Sequence, residues 1–322
     1  MRKDITMSND EQTDRQEQNA LAEEQDGAET QSENTVPVQS DDDHTQIKQA
    51  TVAQEIEPEQ ESAKEEDGAV LLEQDGPVAI LTLSRPAQLN ALSWSMYRQL
   101  AQHLEQLAEE HAVRVVVLRG DGGRAFAAGT DIQQFTSFTG EDAVPYESKM
   151  EAIIERLYNF PKPTIAAVQG YAVGAGIMLA TVCDLRYATP TSRFGVPIGR
   201  TLGNCLSLKN YQHLVNAFGA MRAKEMLFTG RLLSASDALQ CGYLTAIIDD
   251  AQLLTHVKEI ANQIALMAPL TIWATKEAHR RISEVVQNIP FDDVVTRVYG
   301  SEDFAEGVRA YLEKRKPVWK GK

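Results

Sequence analysis

The chain has 322 residues, 43% hydrophobic and 24% charged, which is enough for one large domain or two small ones. Its net charge of −15 lies entirely in residues 1–68, which hold 20 Asp and Glu against 5 Lys and Arg, so residues 69–322 are neutral. A body without a basic surplus is not expected to bind nucleic acid, and without an apolar run of about 18 residues no membrane span is expected. Cys183, Cys205 and Cys241 have no metal-ligand spacing, and the first 20 residues lack an export or transit pattern. The expectation is a soluble, reduced, cytoplasmic protein that holds no metal.

Taken in chain order, residues 1–68 contain no Phe, Trp or Tyr and read as an acidic disordered extension. The body opens with two strands, 69–73 and 78–84, around a turn at Gly76-Pro77. Ser93 is placed to cap a helix whose apolar residues Met96, Leu100, Leu104 and Leu107 recur at helical spacing. The apolar runs 113–118 and 164–168 read as strands buried in a parallel sheet. The glycine-rich run 170–176 leads from the second of these into a helix over 177–182, and 185–188 resumes the sheet. Beyond residue 205 the pattern is mostly helical, over 220–228, 234–240, 252–267, 270–282 and 303–314. Strands alternating with helices, then a run of helices, predict an α/β core with a helical C-terminal portion.

Two segments can carry chemistry. In 124–132 the small residues Ala127, Ala128 and Gly129 let a ligand approach the backbone, and a turn there frees the Thr130 N–H for an anionic oxygen. In 170–176 a helix begins, where N–H groups are unpaired and reinforced by the helix dipole. Two such donors converging on one oxygen make an oxyanion hole. Neither segment matches a phosphate-binding loop or a dinucleotide-binding fingerprint.

Arg85-Pro86, Asn90-Ala91-Leu92, the segments 126–132 and 163–176, Cys183-Asp184, 194–197, 301–307 and 313–319 stand together in one order and spacing. With these motifs the body, about 70–322, resembles the crotonase (enoyl-CoA hydratase/isomerase) family. The resemblance implies a spiral of β-β-α units over 69–265 and a helical trimerisation and CoA-covering region over 266–322. It implies a homotrimer or dimer of trimers, and an acyl-coenzyme A thioester as ligand, with coenzyme A part of the substrate and no separate cofactor. Fatty acid metabolism, with lyase or isomerase chemistry, is the corresponding setting. Carried over by position, the oxyanion donors are the backbone N–H groups of Thr130 and Ala175, the latter in place of the usual glycine. The backbone around Ala128 stands where the family receives the adenine ring, Ala127, Ile132 and Gly174 are further substrate-binding positions, Arg85 stands where a basic side chain meets the phosphates, and Lys316 and Trp319 close over coenzyme A.

The departures bear on the chemistry. Family hydratases use two glutamates, whose positions hold Met178 and Ile198 here, and neither residue moves a proton. These two side chains would form an apolar floor to the acyl pocket. The remaining polar candidates are Asp131, Arg200 and Asn204, with Thr201 and Cys205 beside them. Asp131 reads as a structural cap or a base, Arg200 as an anchor for a carboxylate or enolate, and Asn204 as an orienter of water or an acyl oxygen. Cys205 reads as a small core residue, a nucleophile only with a depressed pKa, and His213 as a surface or core histidine on a helix. Three functions remain open: family chemistry as an enoyl-CoA hydratase or isomerase, decarboxylation of a malonyl-type acyl-CoA, and non-catalytic acyl-CoA binding as a scaffold.

Overall fold

The computed structural model describes residues 67–135, 138–283 and 292–320, so the acidic extension up to residue 66 lies outside the described residues. Strands β1 (Ala69–Asp75) and β2 (Val78–Ser84) form an antiparallel hairpin whose turn contains Gly76 at φ +57°. Ser93 caps α1 (Trp94–Glu109) by accepting from the Met96 N–H, and Met96, Tyr97, Leu100, Leu104 and Leu107 form its buried face. The capping hydroxyl satisfies a first-turn donor, and the 3–4 residue spacing gathers the apolar side chains on one side.

Three β-β-α turns follow. The first is β3 (Val115–Gly120), β4 (Ala125–Ala127) and α2 (Gly140–Tyr158); the second is β5 (Thr164–Val168), β6 (Tyr171–Val173) and α3 (Ala175–Val182). The third is β7 (Leu185–Ala188), β8 (Arg193–Gly195), the short α4 (Ile198–Thr201) and α5 (Leu208–Thr229). The chain continues through β9 (Leu233–Ser234), α6 (Ala235–Gln240), β10 (Ala246–Ile247) and α7 (Leu253–Ala265). The first strand of each turn joins one sheet, in the order β1-β2-β3-β5-β7-β10, and the second strand joins another, β4-β6-β8-β9. Within each sheet the successive turns pair in parallel. The α/β spiral that the resemblance implied is therefore present.

The main core lies between the sheets and helices α1, α2, α3 and α5. On the other side of the six-stranded sheet, Val257 and Ala261 of α7 pack with Val78, Ile80, Val115, Val117 and Ile165. Strands β2, β3 and β5 are thus covered on both faces, which is why they read as unbroken apolar runs. The C-terminal portion is helical: α8 (Pro269–Ser283), α9 (Asp292–Tyr299) and α10 (Glu302–Leu312).

Three expectations change. The run 170–176 does not pass straight from a strand into a helix. Gly170, at φ +69°, turns the chain against Arg124, where a Cβ would fall 2.0 Å from the Arg124 carbonyl oxygen, and β6 intervenes. The helix expected over 220–228 is the second half of α5, which begins at Leu208 and breaks at Gly219 (φ 75°, ψ 155°). Residues 140–158, to which the hydrophobic pattern assigns no element, form α2.

Candidate active site

Two backbone strips meet at the rims of β4 and β6. Leu92 bridges Thr130: the Leu92 N–H donates to Gly129 O at 2.8 Å and the Asp131 N–H donates to Leu92 O at 3.0 Å. Along an extended strand successive N–H groups alternate in direction, so the Thr130 N–H faces away from Leu92. Gly129 stands at φ +96° and Gly174 at φ +57°, conformations that favour glycine. Ala175 is the first residue of α3, so its N–H has no acceptor within the helix. A Cβ on Gly129 would fall 3.5 Å from Val173 O and 4.0 Å from the Ala175 nitrogen, so the strips lie close. Behind them a Cβ on Gly176 would fall 2.0 Å from Ala127 O, so no side chain fits. Ala127 is buried, while Ala128, Thr130, Gly174 and Ala175 are partly exposed.

Side chains hold this arrangement. The Thr130 hydroxyl lies 2.8 Å from Tyr97 Oη and accepts from Tyr146 Oη at 3.4 Å. Burial pushes both tyrosine hydroxyls up, Tyr97 most, so they stay protonated. Asp131 is ion-paired with Arg85 at 2.8 Å, and Arg85 also donates to Ala91 O at 3.3 Å. This pairing joins the first loop to the Thr130 strip and accords with a structural role for Asp131. Ile132 packs at the edge of a cluster containing Phe135, Leu202, Tyr299 and Phe304. Met178 is 2% exposed within the main core and Ile198 is half-buried against it.

The sequence reading missed a buried carboxyl. Glu147 of α2 is 8% exposed, and the Tyr299 hydroxyl of α9 donates to its Oε1. Asn204 Nδ2 donates in turn to Tyr299 Oη at 3.2 Å. Burial pushes the Glu147 carboxyl up to about 7, opposed by hydrogen bonds from Tyr299 and the Ser207 backbone N–H. The available signal was positional: Ala143, Met150, Ile154 and Leu157 form the buried stripe of α2, and Glu147 occupies a place on it. The ring of Tyr299 belongs to a cluster with Phe135, Phe138, Tyr146 and Phe304, with neighbouring centroids about 5–6 Å apart.

The other candidates separate from this group. Arg200 is exposed and leans on Gly230 at the end of α5, where a Cβ would fall 3.2 Å from its Nε. Burial pushes the Cys205 thiol up to about 12, with the Glu147 charge adding, so it is no thiolate at neutral pH. His213 is buried and bonds Glu155 at 2.8 Å, tying α5 to α2. Trp319 lies over Gly203, where a Cβ would fall 3.1 Å from its ring, and Lys316 is exposed.

Two sheets whose successive β-β-α turns pair in parallel, with the strips of Thr130 and Ala175 facing across their rims, define a crotonase-fold protein. The sequence matches the family model of enoyl-CoA hydratase/isomerase over residues 73–322. It is 34% identical to the 2,3-dehydroadipyl-CoA hydratase of Escherichia coli K12, over 76% of this chain and 96% of that protein. It is 31% identical to the short-chain-enoyl-CoA hydratase of Clostridium acetobutylicum, over 77% of this chain and 95% of the relative. Among solved structures, a methylmalonyl-CoA decarboxylase in complex with 2-nitronate-propionyl-CoA superposes with a TM-score of 0.72 at 31% identity, covering 79% of this chain and 98% of that one. An enoyl-CoA hydratase/carnitine racemase from Magnetospirillum magneticum gives 0.64 at 32% identity, covering 79% and 96%. The chain belongs to the enoyl-CoA hydratase/isomerase family.

Proposed function

We propose that this protein is an acyl-CoA enzyme that stabilises a thioester enolate between the Thr130 and Ala175 N–H groups. The observation that carries the reading is the close, side-chain-free approach of these two strips, with the second N–H at a helix start. A thioester carbonyl oxygen placed there meets two preorganised donors, whose stabilisation grows as negative charge develops on it. Ala127, Ala128, Gly174 and Ile132 line the approach, and Met178 and Ile198 make the acyl floor apolar. Trp319, over Gly203, closes one side, and Lys316 meets coenzyme A at the exposed C-terminal end. Arg85 is tied to Asp131 and supports the site by holding the Thr130 strip. The exposed side chains of α8 are covered by further copies of the chain, in a trimer or a dimer of trimers.

The first reaction is hydration of a 2-enoyl thioester. Water oxygen bonds to the β-carbon, the double-bond electrons pass to the thioester oxygen, and on collapse of the enolate one water proton ends on the α-carbon. The second reading, favoured by Met178 and Ile198 at the two carboxylate positions, is decarboxylation of a malonyl-type thioester. There the bond to the departing carbon dioxide supplies the enolate electrons, and the α-carbon takes a proton from solvent. The deciding experiment offers the full chain crotonyl-CoA, followed by loss of the conjugated enoyl absorbance, and methylmalonyl-CoA, followed by release of carbon dioxide. Turnover of crotonyl-CoA supports hydration; turnover of methylmalonyl-CoA alone supports decarboxylation. Tight binding of both without turnover overturns the enzymatic reading in favour of an acyl-CoA scaffold.

A further inference from the structure

The two donors of the site are secured in different ways. The Ala175 N–H belongs to the first residue of α3, and the helix behind it fixes its place. The Thr130 N–H stands on a single parallel bridge to Leu92. That bridge and Leu89 hold the neighbours of Thr130. The Ala128 N–H donates to Leu89 O at 3.0 Å, the Leu92 N–H donates to Gly129 O at 2.8 Å, and the Asp131 N–H donates to Leu92 O at 3.0 Å. In such a bridge the central residue turns its own N–H and carbonyl to the opposite side. These bonds therefore grip residues 128, 129 and 131 and leave the amide of 130 to point outward. Gly129, just before it at φ +96°, has no Cβ to limit rotation.

The grip on residue 130 itself comes from its side chain. Thr130 Oγ1 lies 2.8 Å from Tyr97 Oη, the usual length for a hydroxyl pair, whereas Tyr146 Oη donates to it across 3.4 Å and counts for less. Tyr97 is fully buried on the inner face of α1, beside Met96 and Leu100, so its oxygen is a fixed point. Leu92 and Tyr97 stand five residues apart at the start of α1. One short stretch thus holds the Thr130 strip twice, by backbone and by hydroxyl. A β-branched side chain is stiff at χ1, so pinning Oγ1 restrains the Cα and the amide attached to it.

We propose that Tyr97 is a positioning residue for the oxyanion hole, holding the Thr130 hydroxyl so that the N–H of the same residue stays aimed at the thioester oxygen, with Tyr146 as a weaker second support. This rests on the thioester reading of the site. It gives the Thr130 side chain a task while leaving the chemistry to its backbone. A buried tyrosine hydroxyl needs a partner in any case. The test must therefore separate a bond that only stabilises the fold from one that sets a donor.

The probe is butyryl-CoA labelled with ¹³C at the thioester carbon, bound to the full chain and read by isotope-edited difference infrared spectroscopy. It has neither a double bond to hydrate nor a carboxylate to lose, so it reports without turnover. Hydrogen bonds to the carbonyl oxygen lower its stretching frequency, and a calorimetric titration gives the affinity separately. In the unsubstituted chain the bound band should lie below that of the free thioester. In Tyr97→Phe and in Thr130→Val it should move back toward the free position with little change in Kd. With whichever thioester turns over, both variants should lose about tenfold in kcat at nearly constant KM, less than the 10²–10³-fold expected for a missing donor. The double variant should match the single ones, since both substitutions delete the same bond. Thr130→Ser, which retains the hydroxyl, should restore the band, and Tyr146→Phe should move it less than Tyr97→Phe does. A band and kcat unmoved in Tyr97→Phe and Thr130→Val, with only the denaturant midpoint lowered, would reduce the bond to a support of the fold. That overturns the proposal and leaves the thioester site standing. A probe that does not bind, or binds with an unshifted band in the unsubstituted chain, overturns the site reading and the proposal with it.

Discussion

Ala175 allows the oxyanion reading to be tested through the backbone. As the first residue of α3 its N–H serves no helical bond, and proline is tolerated at that position for that reason. Ala175→Pro should keep the helix, checked by far-UV circular dichroism, and lower kcat by about 10²–10³-fold through loss of one donor. Unchanged kcat would remove Ala175 from the chemistry. Glu147 makes a prediction of the opposite kind, on stability. Its carboxyl is raised in the folded chain from 4.5 to about 7, so between those values the folded state holds a proton that the unfolded state has released. The contribution of this residue therefore falls as pH rises from about 4.5 to 7 and is flat above. The loss is on the order of 2–3 kcal/mol. Urea unfolding at pH 5 and pH 8 should show this loss in the unsubstituted chain and not in Glu147→Gln. The described carboxyls held low, Asp142, Glu155, Glu225, Asp237, Glu277 and Glu306, act in the acid range below their ordinary values and leave this window clear.

The elements differ in how plainly they can be read. Strands β2, β3 and β5 are legible because both faces are covered and their sequences are mostly apolar, and α1 because its cap and stripe agree. The strands of the second sheet have two or three residues each, too few to display any period. Helix α2 is obscured by Pro145 within it and by Glu147 on its buried stripe, the carboxyl that a hydrophobic pattern treats as surface. The backbone half of the site is legible for a related reason. Glycines that fill a positive φ or a gap of 2.0 Å cannot be replaced, so they mark it in the sequence. The polar half is not legible, since Glu147 and Tyr299 are 152 residues apart and meet only through the packing of α9 on α2. Two substitutions test the element boundaries. Ser93→Ala should cost about 1 kcal/mol by removing the α1 cap. Gly219→Ala should cost about 1–2 kcal/mol from its positive φ alone, since nothing stands within 4 Å of the new methyl group. Both are read by denaturant midpoints.

The molecule as a whole presents an apolar surface on its C-terminal helices. Leu266, Leu270, Trp273 and Ile282 are between 51% and 84% exposed, all within α8 or just before it. So many large apolar side chains on one exposed helix and its approach are an interaction surface rather than a solvated face. The full chain should sediment as three or six times its 35.6 kDa, and Trp273→Asp should shift it toward the single chain. A wild-type protein sedimenting at the mass of one chain would sink the trimer. Among the described residues, no helix is long and apolar enough to cross a membrane. The three tryptophans also occupy different surroundings: Trp94 under the Lys149 ammonium at 3.8 Å, Trp273 in the open, and Trp319 against Gly203. Trp319 therefore sits one residue from Asn204, at the end of the chain. In a Trp94→Phe, Trp273→Phe background its fluorescence becomes a single-colour signal for that segment alone. Ligand arrival would register there as a change in emission, with no need for a label or for turnover.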